Sequence, residues 1–228
     1  MIVAIDGPAG SGKSTVAHAI ADRCGLTYLD TGAMYRSVTL ACLRDDVDVN
    51  DSEAVARVAE RVRIEFGNGP DGQTVMLDGV DVTKDIRTPE VEHSVSIVAA
   101  IPAVRTAMVA LQRAVGEAGD VVAEGRDIGT VVFPNAEVKV FLTADAEARA
   151  HRRAVQREGK DAAKDAEATA DASAEQKILD EIRRRDKIDS TRTEAPLKPA
   201  EDAHHIDSSQ LGVEEVVAEV MRLMEEAR

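Results

Sequence analysis

Residues 2–15 read Ile2-Val-Ala-Ile-Asp-Gly-Pro-Ala-Gly-Ser-Gly-Lys-Ser-Thr15. The β-branched apolar run at the start is typical of a buried strand, and apolar residues at helical spacing follow from Val16 to Cys24. Between the strand and the helix lies G-x-x-x-x-G-K-S, in the setting in which this motif binds phosphate. The stretch therefore predicts a phosphate-binding loop and an α/β fold.

The residue types of this loop suit a nucleoside triphosphate. Glycines let the backbone wrap around phosphates, while the loop amides and the helix N-terminus supply hydrogen-bond donors. Lys13 adds a charge for the β and γ phosphates, and the Ser14 hydroxyl is placed to ligate Mg²⁺. We expect Lys13 to be solvated and unburied without ATP. The predicted ATP-binding residues are Gly7, Pro8, Ala9, Gly10, Ser11, Gly12, Lys13, Ser14 and Thr15.

Composition and charge limit the class of protein. The chain has 228 residues, of which 44% are hydrophobic, and it contains no run near the ~20 apolar residues that span a bilayer. Its 28 basic and 42 acidic residues give a net charge of −14, which disfavours binding to nucleic acid or to an anionic membrane. With two cysteines and no visible secretion signal, we expect reduced thiols and a cytoplasmic location.

Strand and helix patterns alternate along the chain. Further strands are predicted at residues 26–30, 120–124, 137–143 and 204–207. The alternation predicts a central parallel sheet flanked by helices, the three-layer fold of phosphate-loop proteins. Short runs separated by turn residues at about 62–86 predict a small antiparallel β insert.

A segment of unusual composition lies between two groups of arginines. Residues 161–175 hold seven alanines and five acidic residues, which predicts a solvated helix or a mobile loop. We interpret about 150–180 as a lid, because arginines suit the oxygens of a moving phosphoryl group. If a helix runs through residue 192, then Arg185, Asp189 and Arg192 share one face. The alternative is a pair of solvated, salt-bridged helices without a ligand.

Two other segments place charged residues directly after predicted strands. Gly125-Arg-Asp-Ile-Gly129 follows one strand, and Thr31-Gly-Ala-Met-Tyr-Arg36 follows another. Ligands of open α/β sheets bind just past the strand ends, so Arg126 and Asp127 are candidates for substrate contact and Arg36 for an anion. The alternative in each case is a capping aspartate beside a surface arginine.

These strings resemble those of one family, the bacterial cytidylate kinases of the nucleoside monophosphate kinase superfamily. The similarity runs from residue 2 to the final helix, and the insert at 62–86 resembles the extra β-sheet of bacterial members. The string Glu124-Gly-Arg-Asp-Ile-Gly-Thr-Val-Val-Phe-Pro134 is far more specific than the phosphate-binding loop. The other strings are residues 5–15, Leu29-Asp-Thr-Gly-Ala-Met-Tyr-Arg36, Ile86-Arg-Thr-Pro-Glu-Val91, Ala150-His-Arg-Arg153 and Arg185-Asp-Lys-Ile-Asp-Ser-Thr-Arg192.

The resemblance implies an enzyme that phosphorylates CMP and dCMP with ATP and Mg²⁺ by direct in-line transfer, and we expect a monomer. It implies one domain over 1–228, with a core of 1–30, 120–145 and 200–228, a monophosphate-binding region at 31–117 and the lid. The implied catalytic residues are Lys13, Arg126, Arg153, Arg157 and Arg185, with the lid arginine being Arg153 or Arg157. The implied CMP-binding residues are Thr31, Arg36, Ser96, Arg105, Arg126, Asp127, Arg185, Asp189 and Arg192.

Within that set, the resemblance implies that Ser96, Arg105 and Asp127 read the base. Cytosine fits these residue types, because a carboxylate accepts from the exocyclic N4 amine, whereas uracil presents an acceptor there at a cost of ~1–3 kcal/mol. Three other classes stay open: a GTP-binding switch, although no N-K-x-D string is present, a motor or chromosome-segregation ATPase, and a kinase of another metabolite.

Overall fold

The computed structural model describes residues 1–69, 72–157 and 171–228. Contacts divide the chain into two compact units, one formed by Met1–Leu29 and Val115–Arg228 and the other by Asp30–Ala114. The middle of the predicted lid, residues 158–170, lies outside the described residues, and so does most of the acidic, alanine-rich segment.

The elements follow in this order. The strands are β1 (Ile2–Asp6), β2 (Thr27–Asp30), β3 (Ile64–Gly69), β4 (Gly72–Leu77), β5 (Val80–Asp81), β6 (Val121–Gly125), β7 (Val138–Thr143) and β8 (His204–Asp207). The α-helices are α1 (Lys13–Cys24), α2 (Thr31–Arg44), α3 (Ser52–Arg61), α4 (Pro89–Val98), α5 (Pro102–Glu117), α6 (Ala146–Arg157), α7 (Ala172–Thr191) and α8 (Val213–Glu226). A 3-10 turn at Asp85–Arg87 and a π-helical turn at Ile128–Val132 complete the described elements.

A five-stranded sheet forms the first unit, in the order β2-β6-β1-β7-β8. β1 pairs in parallel with β6 and with β7, and β7 pairs in parallel with β8. Apolar residues of the sheet pack with those of α1 and α8 in one buried cluster. Each fully buried aliphatic side chain contributes about 1.5–3 kcal/mol to the free energy of unfolding. The predicted α/β fold is confirmed.

The register of the sheet positions the phosphate-binding loop. Ile5 lies opposite Glu124 and Asp6 opposite Gly125, so β1 and β6 end side by side. The loop at residues 7–12 and the Gly125–Gly129 segment therefore leave the sheet at the same edge, the carboxyl edge at which parallel α/β sheets bind ligands.

Helices α2 to α4, most of α5 and a three-stranded antiparallel sheet, β3-β4-β5, form the second unit. This sheet confirms the predicted insert. Asp78 and Gly79 both have positive φ values, 51° and 81°, in the two-residue hairpin between β4 and β5, which suits an Asp-Gly turn. Asp30 caps α2 by accepting from the amide of Ala33 at 3.0 Å, and Thr88 caps α4, where Pro89 occupies the first turn.

No single helix in the described ranges is long and apolar enough to cross a bilayer. Helices α4 and α5, which are bent relative to each other, are together long and apolar enough, but core helices of globular proteins often are too.

Candidate functional site

The loop between β1 and α1 passes close to the backbone of β7 at its first glycine, Gly7. Gly7 has φ +152°, and a Cβ there would lie 2.0 Å from the carbonyl oxygen of Leu142 on β7. Gly10 has φ +79°, and its Cβ would lie 3.2 Å from Cβ of Arg149 on α6. Since a side chain at position 7 would overlap the backbone of β7, the first glycine of the motif is fixed by packing as well as by its conformation.

Lys13 lies inside the curve of this loop and is only 5% exposed. Its Nζ donates to the carbonyl oxygen of Pro8 at 2.7 Å and lies 3.5 Å from Oγ of Ser11. The expectation of a solvated lysine is therefore wrong. The loop curls around the side chain and supplies oxygen acceptors for the ammonium group. The positive charge is consequently held within the loop itself.

Arg149 on α6 braces the loop from outside. Its Nη1 donates to the carbonyl oxygen of Ala9 at 3.1 Å, and its Nη2 pairs with Asp186 on α7 at 2.7 Å. The guanidinium is buried, with Nε donating to the carbonyl oxygen of Ala144. This side chain therefore ties the loop to both helices that flank residues 158–170. Nothing in the sequence around Arg149 predicted this contact, because the carbonyl of Ala9 lies 140 residues away.

Ser208, just after β8, makes a second brace. Its Oγ lies 3.1 Å from the carbonyl oxygen of Ser11 and 3.0 Å from that of Thr143. Arg152 donates to the same Oγ at 3.1 Å. Burial lowers the pKa of Arg152 below its ordinary value, although Asp207 opposes this effect. The last strand thus contributes to the wall of the loop, which nothing in the sequence of residues 204–209 indicated.

Oxygen donors that suit Mg²⁺ lie at the edge where the loop begins. Ser14 and Thr15 are exposed in the first turn of α1, and Glu124, next to the last residue of β6, lies opposite Ile5 of β1. The Glu124 carboxylate, 5% exposed, accepts from the hydroxyl of Tyr28 at 2.5 Å. In the described ranges no group of three His, Cys, Asp or Glu side chains is placed to hold a metal. The exposed Ser14 hydroxyl is the loop side chain that could ligate Mg²⁺.

Buried ion pairs join the loop after β6 to the end of α7. Nε of Arg126 donates to Oδ2 of Asp189 at 3.0 Å, and Nη2 of Arg192 lies 3.5 Å from Oδ1 of Asp127. Burial raises the pKa of Asp189, but Arg126, Arg185 and Arg192 outweigh burial and hold that pKa below its ordinary value. Asp189 is therefore ionised at neutral pH. The structure brings these five sequence-predicted residues together in one charged cluster.

The residues of this cluster do not all lie on one face of a helix that runs through residue 192. α7 ends at Thr191, and Arg192 is its C-cap, so the helix does not run through residue 192. Arg192 still reaches Asp127 and donates from Nε to the carbonyl oxygen of Ala195 at 2.8 Å. Ala195 has φ +47°, a left-handed conformation that turns the chain at this point.

The remaining arginines of this region divide into two groups. Arg183 pairs with Glu147 and Arg184 with Glu181, at 2.8 and 2.7 Å, so the salt-bridged-helix alternative describes these two well. Arg153 lies partly exposed on α6. Arg157 ends α6, and its side chain is outside the described part of the chain. The choice between Arg153 and Arg157 as the lid arginine stays a prediction.

In the second unit, Arg36 on α2 is paired with a carboxylate. Its Nη1 lies 2.9 Å from Oε1 of Glu92 on α4 and 3.4 Å from the carbonyl oxygen of Ile86. The side chain of Arg36 is 12% exposed and that of Glu92 is 6% exposed. A buried arginine with a fixed partner can hold its guanidinium in one orientation. Glu92 was not singled out from the sequence, because its partner lies 56 residues away.

Three other predicted CMP contacts are also buried in this unit. Arg105 on α5 donates to the carbonyl oxygen of Ala99 at 3.2 Å, and its guanidinium carbon lies 5.4 Å from the ring centroid of Tyr35. Thr31 begins α2, and Ser96 lies on α4; they are 3% and 2% exposed. These polar groups are placed on α2, α4 and α5 in the interior of the unit, where each requires hydrogen-bond partners.

A family model and several relatives match nearly the whole chain. The family model described as cytidylate kinase matches residues 3–226. The chain is 46% identical to the cytidylate kinase of Rhodococcus opacus (strain B4) over 99% of this chain and 95% of the relative. It is 48% identical to that of Geobacillus kaustophilus (strain HTA426) over 98% and 96% of the two chains.

A solved structure shares the fold at much lower identity. An uncharacterized protein from Eubacterium ventriosum has a TM-score of 0.52 and 14% identity, with 99% of this chain and 98% of that chain covered. That similarity concerns the fold alone, whereas the family model and the two relatives extend over nearly all of the sequence. The chain is a kinase and belongs to the cytidylate kinase family.

Proposed function

We propose that this chain transfers the γ-phosphoryl group of ATP to CMP, giving ADP and CDP, and that dCMP is a second acceptor. The observation that carries the proposal is the cluster in which Arg126 pairs with Asp189 and Arg192 with Asp127. The cluster follows β6, the strand that pairs with β1 directly before the phosphate-binding loop. A cationic cluster with two fixed carboxylates suits an acceptor that carries both a phosphate and hydrogen-bonding groups.

The ATP half of the reaction falls to the loop. Lys13 supplies a full charge to the β and γ phosphates, and the amides at the start of α1 bind phosphate oxygens. Mg²⁺, with Ser14 as its protein ligand, neutralises charge on the phosphates when bound. The transferred group needs little covalent help from the protein, so positioning and charge account for most of the rate.

The CMP half falls to three groups of side chains, one each for the monophosphate, the ribose and the base. We assign the monophosphate to Thr31, Arg36, Arg126 and Arg192, and the ribose to Arg185 and Asp189. The base falls to Ser96, Arg105 and Asp127. Asp127 accepts from cytosine N4, while Arg105 and Ser96 donate to N3 and O2. The catalytic cations are Lys13, Arg126, Arg185 and one lid arginine, Arg153 or Arg157.

The regions divide accordingly. We assign monophosphate binding to residues 31–117, and the role of lid to about 150–180. Residues 1–30, 120–145 and 200–228 serve as the core of the single kinase domain. The net charge of −14 supports a protein that acts without nucleic acid or membrane partners. We assign it a cytoplasmic location and a monomeric active form, which light scattering at 24.4 kDa would verify.

A panel of acceptors tests the proposal. ADP production from ATP and Mg²⁺ is measured with CMP, dCMP, UMP, AMP, GMP, shikimate and gluconate, each against a reaction without acceptor. We expect CMP and dCMP to give the highest kcat/KM. Turnover of a sugar or of a purine nucleotide in preference to CMP would overturn the assignment of the acceptor, and ADP without dependence on any acceptor would indicate an ATPase.

A further inference from the structure

Asp6, the last residue of β1, makes a two-pronged contact with the loop that follows β6. Its Oδ1 accepts from the amide of Ile128 and its Oδ2 from the amide of Gly129, each at 2.7 Å. The side chain is 3% exposed. Both carboxylate oxygens are therefore committed to consecutive backbone amides that lie 122 and 123 residues further along the chain.

This contact fixes the backbone on the C-terminal side of Asp127. Asp127 has φ −148° and ψ 27°, and its carbonyl oxygen accepts from the amides of Val131 and Val132 as the π-helical turn begins. A π-helical turn is rare and is often found at functional sites, and here the carboxylate of Asp6 anchors its start.

The packing at Gly129 leaves this anchor little freedom. A Cβ there would lie 3.2 Å from Cδ of Lys139 and 3.5 Å from Oδ2 of Asp6. The distance to Asp6 is an ordinary contact, so an added Cβ would press mainly on the side chain of Lys139. The pair of hydrogen bonds and the packing together determine where Arg126 and Asp127 stand relative to β1.

The surroundings of Asp6 shift the pKa of its carboxyl group. Burial is the largest influence and raises the pKa of Asp6 to about 6, while the amides of Gly129 and Ile128 lower it. Asp127 raises it further, and Lys13 lowers it. The charge of Asp6 is therefore influenced both by the lysine of the phosphate-binding loop and by the aspartate to which the proposed function assigns the base, although Asp6 is not among the residues assigned to either nucleotide.

We propose that Asp6 is a positioning residue that sets the loop carrying Arg126 and Asp127 for binding and discrimination of the nucleoside monophosphate. The inference rests on the proposed function, in which those two residues contact CMP. Asp6 touches no substrate; it acts through two backbone amides. Its loss should therefore weaken the CMP side of the reaction more than the ATP side.

The variant Asp6→Asn tests this inference, because asparagine has nearly the same shape as aspartate. The asparagine retains one oxygen acceptor but places an amide group against the second backbone N–H, so one contact becomes donor against donor. We expect KM for CMP to rise about 10- to 100-fold and the CMP-over-UMP ratio of kcat/KM to narrow, because an unsatisfied buried group displaces the loop. The dissociation constant for ATP, measured by calorimetry without CMP, should change less than about threefold.

The control is Asp51→Asn. Asp51 also accepts a hydrogen bond from a backbone amide, that of Ala54 at 3.0 Å, but it is the exposed N-cap of α3 and is not among the residues assigned to the nucleotides. Its kinetic constants should stay at the values of the unmodified enzyme. Wild-type turnover of CMP is measured in the same series, so that failure of the proposed function, which removes wild-type activity on CMP, is distinct from failure of this inference.

A second measurement uses the unmodified protein and does not depend on the folding of a variant. In NMR spectra, the amides of Ile128 and Gly129 should exchange slowly with solvent and shift together as the pH passes about 6. The inference is overturned if Asp6→Asn weakens ATP and CMP binding equally, if CMP constants do not change, or if both amides exchange rapidly and do not titrate.

Discussion

Arg126 and Asp189 are joined by a hydrogen bond of 3.0 Å from Nε to Oδ2, which links the loop after β6 to the last turn of α7. Both charges are largely withdrawn from water, the carboxylate with 6% and the guanidinium with 20% of its side chain exposed. Because Arg185 and Arg192 also act on Asp189, a single carboxylate balances several cations in the cluster. Removal of Asp189 would leave these guanidinium groups without that carboxylate.

Replacing Asp189 by alanine should therefore reduce stability as well as activity. We expect Asp189→Ala to lower the free energy of unfolding by about 3–5 kcal/mol, since it leaves buried guanidinium groups without their carboxylate. Asp180→Ala, an exposed position on the same helix, is the control and should change stability by less than about 0.5 kcal/mol. Urea titration measures both; equal effects would contradict the buried-cluster account.

The pKa of Asp189 gives that loss a pH dependence. The pKa of Asp189 in the folded state lies below its ordinary value of 3.8, so its contribution to stability is present above pH 3.8 and fades as the pH falls through the folded-state pKa. The difference in unfolding free energy between the unmodified protein and Asp189→Ala should accordingly be larger at pH 7 than at pH 3. A difference that grows on acidification would contradict the sign.

Asp6 should show the opposite dependence. Its pKa of about 6 exceeds the ordinary 3.8, so between those values the folded state holds a proton that the unfolded state has lost. Stability from this group is full below pH 3.8 and declines as the pH rises through 6, by about 3 kcal/mol in total. The difference in unfolding free energy between the unmodified protein and Asp6→Asn should therefore fall as the pH rises from about 4 to above 6, and urea unfolding at several pH values measures it. A constant difference would indicate an ordinary pKa.

The close approach at Gly7 predicts a severe effect of a single methyl group. Gly7→Ala places Cβ where the carbonyl oxygen of Leu142 lies, so the loop or β7 must move, and we expect ATP affinity to fall at least about 100-fold. Gly25→Ala has a positive φ of 67° but nothing within 4 Å of the added Cβ. That control should lose about 1 kcal/mol of stability and keep ATP affinity. Calorimetric titration with ATP separates the two, and equal affinities would refute the packing argument.

Base discrimination tests Asp127. We expect Asp127→Asn to lower kcat/KM for CMP, by an amount that corresponds to a rise of about 2–3 kcal/mol in the activation free energy. The kcat/KM for UMP should fall less, because asparagine can rotate its amide to donate to uracil O4. Arg126→Ala should reduce CMP and UMP about equally, since phosphate carries no base identity. Steady-state kinetics with both nucleotides decide the matter. If Asp127→Asn lowers both by one factor, Asp127 positions its neighbours and does not read the base.

Contacts between residues close together in the sequence could be predicted, whereas contacts between distant residues could not. The phosphate-binding loop, the Asp78-Gly79 hairpin and the caps at Asp30 and Thr88 were predictable, because each depends on residues within a few positions of one another. The alternation of strands and helices likewise predicted the parallel sheet. Local chemistry specifies these features almost completely.

Contacts made across the chain were not predictable in this way. Arg149 reaches a carbonyl of the loop 140 residues away, and Asp6 reaches amides after β6, because the sheet order places β1 beside β6. The burial of Lys13 escaped prediction for another reason: its acceptors are backbone and hydroxyl oxygens of the loop, which no residue pattern displays. The pairing of Glu92 with Arg36 required the packing of α4 against α2.

The most direct test of the account is identification of the products by ³¹P NMR when ATP, Mg²⁺ and CMP are mixed with the unmodified protein and with Lys13→Ala. We predict that CDP and ADP accumulate in equal amounts with the unmodified protein. With Lys13→Ala, both should be reduced at least about 1000-fold while circular dichroism shows the fold retained. Formation of ADP without CDP, or wild-type turnover by Lys13→Ala, would contradict the assignment of this chain as an ATP-dependent CMP kinase built on its phosphate-binding loop.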